Sequence, residues 1–505
     1  MDLIGIIFVL YLLFLLGVGA WTFKFNKTQE DYLLAGRRLG PWVTAFSERA
    51  SGESAWLLLA LPGAAITVGL GESWAVIGII LGIISSWFLI AEKLRDETEK
   101  YNALTIPEYL HRKYDDTSNI IRLFSAVIIA FFFMFYVSAQ FHASGKVLNS
   151  LFDLDPLIGI SIGAAIIMAY TLMGGFFAVA WTDLLQGILM IGTLVILPVV
   201  GFIELSGSEK TIEAGLKGAE NIFGKSNASI FMGKSGVAAL VTALGGLSWG
   251  LGYLGQPHLV IRYMAIRKSK EVKQARKIAI AWALPGITGA FLTGIVALVY
   301  FGPEYFHTFI AGIGEKIDLC ARCGLMEGTH IDSEQAMPLL AKKLLHPMIA
   351  GLFISGAVAA MMSTADSQLL VSTSAVTEDF YHQFLGKNLS DQALVKMSRI
   401  MIVILGLASC GIALLSEVKG RNIFGVVSYA WSGLGSAFGP VLVMTLWWDK
   451  TTRNGVIAGL LTGFLTTIIW ANIPELQAIT TERLSSFVFA FIAVYVVSLQ
   501  TQDES

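Results

Sequence analysis

The chain has 505 residues, of which 55% are hydrophobic and only 14% charged; its mean hydropathy is +0.68 and its formal net charge −2. Soluble domains carry about 25% charged residues, so a water-soluble enzyme or binding module is excluded: so much apolar surface could not be hidden from water, whereas a bilayer receives it. The near-neutral balance itself says nothing about nucleic acid; with no basic tract interleaved with aromatics, no nucleic-acid partner is expected.

A hydrocarbon core about 30 Å thick takes about 20 helical residues, and only helices or closed barrels satisfy their backbone in lipid. The sequence lacks strand alternation, so the prediction is an all-α membrane protein with about thirteen spans. The first, 3–23, ends without a small-residue cleavage site and reads as an uncleaved span. The others are predicted at 42–69, 73–93, 121–146, 156–174, 177–205, 234–261, 276–301, 345–380, 396–416, 424–448, 455–473 and 484–500. With the N-terminus outside, the inner loops hold 22 Lys and Arg, including Arg262, and the outer loops hold 12. The bias predicts N-outside and C-inside.

Two spans carry interruptions. The second holds Ser47-Glu48-Arg49-Ala50-Ser51-Gly52-Glu53-Ser54 in its middle and Pro62-Gly63 beyond. The seventh holds Gly245-Gly246, then Trp249-Gly250-Leu251-Gly252-Tyr253-Leu254-Gly255-Gln256-Pro257. Gly and Pro break helices by flexibility and by a missing donor. Broken helices five spans apart point to an inverted-repeat transporter with its site at the midplane, spans 2–6 and 7–11 forming the repeats (about 42–205 and 234–448).

Glu48, Arg49 and Glu53 lie within an apolar span, where each costs about 2.5–3.5 kcal/mol at the membrane centre. One reading gives the break to a cation and a substrate carboxylate; the other makes Arg49 and Glu53, at i and i+4, an ion pair that holds the bend. In the ninth span Ala360, Ser363, Thr364 and Ser367 share a helix face, with Asp366 adjacent. Two hydroxyls and a carbonyl suit a small hard cation, while Ser and Thr also simply pack membrane helices. Asp183 opens the sixth span, as an ion-linked acid or as a cap. Trp249, Tyr253, Gln256 and Pro257 of span seven, and Tyr136 and Gln140 of span four, are candidates to line a cavity; the alternative for the aromatics is an interfacial belt. Cys320 and Cys323 fall in an outer loop, where a disulfide is one reading, and Cys410 is a packed thiol. The sequence has no Walker A loop and no nucleophile–base pair, so neither ATP-driven transport nor an enzyme is expected.

The chain contains the stretches Leu34-Ala-Gly-Arg-Arg-Leu-Gly-Pro-Trp, Ala55-Trp-Leu-Leu-Leu-Ala-Leu-Pro-Gly-Ala, Trp249-Gly-Leu-Gly-Tyr-Leu-Gly-Gln-Pro-His-Leu-Val-Ile-Arg-Tyr-Met-Ala, Ser363-Thr-Ala-Asp-Ser-Gln-Leu-Leu-Val-Ser-Thr-Ser-Ala and Ser428-Tyr-Ala-Trp-Ser-Gly-Leu-Gly-Ser-Ala-Phe-Gly-Pro. Together they resemble the sodium/solute symporter family, with the nearest likeness to bacterial sodium/proline symporters. The resemblance implies a LeuT-type core of five plus five inverted helices, with one helix before and two after. It implies a bacterial inner-membrane symporter that imports a small solute, most closely proline, with sodium. The implied sodium ligands are the carbonyls of Ala50, Glu53 and Ala360 and the hydroxyls of Ser363 and Thr364. Trp249, Tyr253 and Pro257 match proline-lining positions, with Ser54, Tyr136, Gln256 and Arg49 as further substrate candidates. Asp183 matches a family aspartate linked to ion coupling, and Asp366 and Ser367 lie beside it in that reading. The family's proline members carry an aspartate and then a small apolar residue where this chain has Gly52-Glu53. The acid is thus displaced by one residue, about 100° around a helix. Glu53 accordingly keeps a second pairing open: protons as the coupling ion, or another amino acid or a betaine-like solute as the substrate.

Overall fold

The computed structural model describes residues 3–22, 34–173, 175–224, 226–306, 332–384 and 391–502. Every predicted stretch is helical within these limits. The long helices are α1 (Leu3–Thr22), α2 in two halves (Pro41–Gly52 and Leu61–Val68), α3 (Ser73–Leu89), α4 (Ile120–Phe152), α5 (Pro156–Met173) and α6 (Phe176–Ser206). Next come α7 in pieces (Gly236–Leu247, Trp249–Gly252 and Pro257–Met264), α8 (Val272–Phe301), α9 (Pro347–Ser374) and α10 (Asp391–Val418). The last three are α11 (Ile423–Trp447), α12 (Arg453–Asn472) and α13 (Glu482–Gln500). Among the described residues, 9 helices are long and apolar enough to cross a membrane, or 10 with the bent α7 counted as one. The apolar stretches of α1 and α5 are shorter. Cys320 and Cys323 lie outside the described residues.

Burial sorts the bundle. The most apolar windows of α9 and α11 are 83% and 89% buried, against 33% for α10, α12 and α13. The first two are therefore the interior of the protein, and the last three turn most of their apolar surface to lipid. Side chains such as Leu407, Ile469 and Ile492 stand exposed there, as do Leu10 and Phe14 on α1. α6 packs on α2, α8 and α9; α11 packs on α4, α12 and α13.

The two breaks have local causes. Pro41 starts the first half of α2, and that half ends at Gly52, after which Glu53 leaves helical geometry at φ −101° and ψ 23°. The chain resumes as a wide π-turn, Trp56–Ala60, just before Pro62, whose ring nitrogen has no hydrogen to give the preceding turn. In α7, Gln256 is extended (φ −73°, ψ 109°) because it precedes Pro257, and the axis bends by 44°. The start of α2 and the end of α7 are tied together. Leu39 donates to the Ala265 carbonyl at 3.2 Å and accepts from Arg267 at 2.9 Å. Arg37 donates to the carbonyls of Met264, Thr98 and Ala103 at 3.0, 3.1 and 2.6 Å.

α3 and α7 touch backbone to backbone. A Cβ added at Gly250 would sit 2.2 Å from the Gly78 carbonyl oxygen, and one at Gly82 would sit 2.3 Å from that of Gly250. Small residues permit such close crossings in membranes. Gly250→Val is therefore expected to destabilise the protein by about 1–3 kcal/mol or more, since backbone cannot yield as a side chain can. The detergent melting midpoint checks this; an unshifted midpoint would contradict the close crossing.

Candidate functional site

Four carbonyls at the end of a helix lack intrahelical partners, and at the break in α2 each can be followed. Arg49's accepts from the Glu53 amide at 3.0 Å. Gly52's accepts from the Trp56 indole at 3.1 Å. The other two are met from across the bundle by α9: Ser363 Oγ reaches the Ala50 oxygen at 2.9 Å, and Thr364 Oγ1 reaches that of Ser51 at 2.9 Å. Ser363 Oγ also lies 3.1 Å from the carbonyl of Ala360. All of these residues are fully buried.

This cluster is built only of oxygen, the donor set of a hard cation. Ligands at about 2.4 Å from one ion stand roughly 3.4 Å apart at right angles; the 2.9 and 3.1 Å spacings here are those of hydrogen bonds, which an ion entering the cluster would replace. Of the expected sodium ligands, the structure brings Ala50, Ala360, Ser363 and Thr364 together. Glu53 ends the same half-helix. Ser51, within the interrupted run 47–54 but not among the named ligands, contributes its carbonyl as well.

A second cluster lies against the first. Asp183 Oδ2 accepts from Ser47 at 2.6 Å, Ser51 at 3.1 Å and Arg262 at 3.1 Å. The same guanidinium donates to Ser51 Oγ at 2.6 Å and Ser367 Oγ at 2.5 Å, its Nε to Ser47 Oγ at 3.0 Å, and its Nη1 to the His258 carbonyl. Ser367 donates to Asp366 Oδ1 at 3.3 Å. Two expectations are corrected here. Arg262 was counted among the inner loops, yet it is fully buried on α7. Asp183 is no cap, since α6 starts at Phe176 and the acid is buried about two turns later.

The third cluster is the ionic triad of α2. Arg49 binds Glu48 with two nitrogens, Nε at 2.6 Å and Nη2, and binds Glu53 with the third, Nη1, at 2.5 Å. The Trp87 indole (3.1 Å) and the Tyr263 hydroxyl (3.5 Å) also donate to Glu48. The Tyr253 hydroxyl bridges from α7 to Glu53, 3.2 and 3.3 Å from its two oxygens. The ion-pair reading of Arg49 and Glu53 is thus the arrangement observed.

Aromatic rings enclose this triad. Trp56 stacks on Trp249, with ring centres 5.9 Å apart; Tyr253 meets Trp431 edge-on at 4.6 Å; and Arg49 lies 5.5 Å from the centre of the Tyr253 ring. Trp249 and Tyr253 are buried inside the bundle, not in an interfacial belt. Gln256 Nε2 donates to the Trp431 carbonyl at 2.9 Å, and Gln140 Oε1 accepts from the Ala55 amide at 3.0 Å. Ser54 Oγ accepts from the Trp56 amide at 3.3 Å, and Tyr136 meets Trp431 at 6.3 Å. Pro257 stands apart from these rings, on a small cavity shared with Thr105, Val371 and Asp379.

Residues 32–463 match the model of the family described as the sodium:solute symporter family. The chain is 37% identical over 489 residues to the high-affinity proline transporter PutP of Bacillus subtilis, covering 97% of this chain and 96% of that one. It is also 37% identical over 494 residues to the sodium/proline symporter of Escherichia coli, covering 97% and 92%. Among solved structures, a sodium-coupled sialic acid symporter in a substrate-bound, outward-open state superposes with a TM-score of 0.77. That comparison has 19% identity and covers 100% of this chain and 98% of the other. The shared fold is of the LeuT type.

Proposed function

The chain belongs to the sodium:solute symporter family, and from that premise we propose that it carries L-proline across the membrane together with sodium ions, by alternating access. The observation that carries the proposal is the meeting of Ser363 and Thr364 with the freed carbonyls of Ala50 and Ser51. It supports a sodium site between α2 and α9, completed by the carbonyls of Ala360 and Glu53. Sodium there joins the inner half of α2 to α9. The substrate binds beside it, among Ser54, Tyr136, Trp249, Tyr253, Gln256 and Arg49, with Pro257 on the inner side. Asp183, with Asp366 and Ser367, links ion occupancy to the inner half of α7 through Arg262. The repeats are α2–α6 and α7–α11, and the termini lie outside (N) and inside (C). Sodium moving inward drives the cycle, the membrane potential adding about 2.3 kcal/mol per charge for each 100 mV.

The test is uptake of radiolabelled proline into proteoliposomes under imposed sodium and proton gradients. Accumulation driven by sodium is the expected result. Accumulation driven only by protons would move the coupling to the carboxylates, Glu53 first. No accumulation under either gradient would remove proline as the substrate.

A further inference from the structure

The two carboxylates that flank Arg49 are held differently. Glu48 takes two of the guanidinium nitrogens and is also held by Trp87 and Tyr263 from two other helices. It is a fixed brace. Glu53 takes one nitrogen, and its other tie is the Tyr253 hydroxyl at the break of α7. Glu53 is therefore the arm that can let go while Arg49 stays in place. Its position between the two broken helices, tied to Arg49 of α2 and to Tyr253 of α7, is where a small solute would be enclosed.

We infer that Arg49 and Glu53 are a paired receptor for a zwitterion, in which the solute's carboxylate takes Glu53's place on Arg49 and the released Glu53 accepts the solute's N–H groups. The inference rests on the reading of the chain as an amino-acid symporter and specifies which solutes it accepts. The electrostatics make the exchange feasible. A buried charge is tolerable only when paired, and inserting a zwitterion turns one ion pair into two without leaving any charge alone. A solute lacking the carboxylate gives Arg49 nothing in exchange for Glu53. A quaternary betaine has the charge but no N–H, so Glu53 and the Tyr253 hydroxyl face a methylated surface. The geometry thus selects primary and secondary amines over betaines, a choice the sequence leaves open.

The experiment uses the full-length protein in proteoliposomes, with labelled proline competed by unlabelled proline, N,N-dimethylproline and prolinamide. In the wild type, both derivatives are expected to compete at least ~10-fold more weakly than proline, the loss of one charge-assisted hydrogen bond. Glu53→Gln is expected to raise the KM for proline at least ~10-fold while leaving the sodium half-saturation within about twofold, with Glu53→Asp recovering part of the loss. Dimethylproline competing as well as proline, or a Glu53→Gln KM within twofold of the wild type, overturns the inference. A wild type that takes up a different amino acid overturns only the proline assignment, and the permethylated and amide derivatives of that amino acid then decide the same point. A wild type that takes up no zwitterion overturns both.

Discussion

Replacing Ser363 and Thr364 together by alanine is expected to abolish sodium-driven uptake while leaving a folded protein in the membrane. The two hydroxyls are half of the inter-helix contact at the proposed ion site, each 2.9 Å from a carbonyl of α2. Without them an ion between α2 and α9 keeps only carbonyls, mostly from one side. Losing two oxygens of a set of about five should weaken sodium at least ~100-fold, at about 1.5–3 kcal/mol for each charge-assisted contact. Folding loses much less, since a neutral hydrogen bond contributes about 0.5–1.5 kcal/mol net and Ser363 has a helix of its own to rest in. Sodium half-saturation of proline binding, measured beside the detergent melting midpoint, separates the two effects. A double variant with wild-type sodium affinity would remove the ion from this position.

The second large effect is expected at Arg262. Arg262→Gln should cost about 3–5 kcal/mol, because it strands the buried Asp183 charge. Asp183→Asn should cost a similar amount by stranding the guanidinium. Combining the two is expected to cost clearly less than the sum, because neither charge is then left unpaired. The yield of folded protein and the melting midpoint of the four species give the coupling directly. Strict additivity would show that the 3.1 Å contact carries no stability. Uptake is read separately: the double variant is expected to fold and still fail to couple, since Arg262 also ties Ser51 of α2 to Ser367 of α9.

How much of this was legible in the sequence follows from how local each feature is. The helices and both breaks are written in neighbouring residues: apolar runs about 20 long, then Gly52, Pro62, Gly255 and Pro257. The oxygen face of α9 is also local, since Ser363, Thr364 and Ser367 fall on one side by helical spacing alone. Arg262 was not legible. It lies at the end of α7, five residues before the loop cations that begin at Arg267, and charge counting has no means to separate them. Only its contact with an acid 79 residues away identifies it. Glu48 escaped for another reason. Helix spacing pairs Arg49 with Glu53, at i and i+4, and says that i and i+1 do not face each other. The long Arg49 side chain reaches Glu48 and Glu53 at once, which that rule does not foresee. Ser51 lies in the run that the sequence marks, but its own part was not legible, because it is played by a carbonyl and a hydroxyl directed at two different helices.

The difference between the triad of α2 and the Arg262 cluster has a consequence for how the protein is made. At about 5–20 residues per second, the ribosome needs roughly 4–16 s to pass from Asp183 to Arg262, and roughly 15–60 s to pass from Ser51 to Ser367, 316 residues on. Asp183 must therefore enter the bilayer long before its counter-charge exists. Glu48, Arg49 and Glu53 all emerge within six consecutive residues, and Arg49 is paired as soon as its own helix turn has formed. The broken stretch of α2 is thus delivered to the membrane already compensated, whereas α6 needs shelter from lipid until α7 arrives.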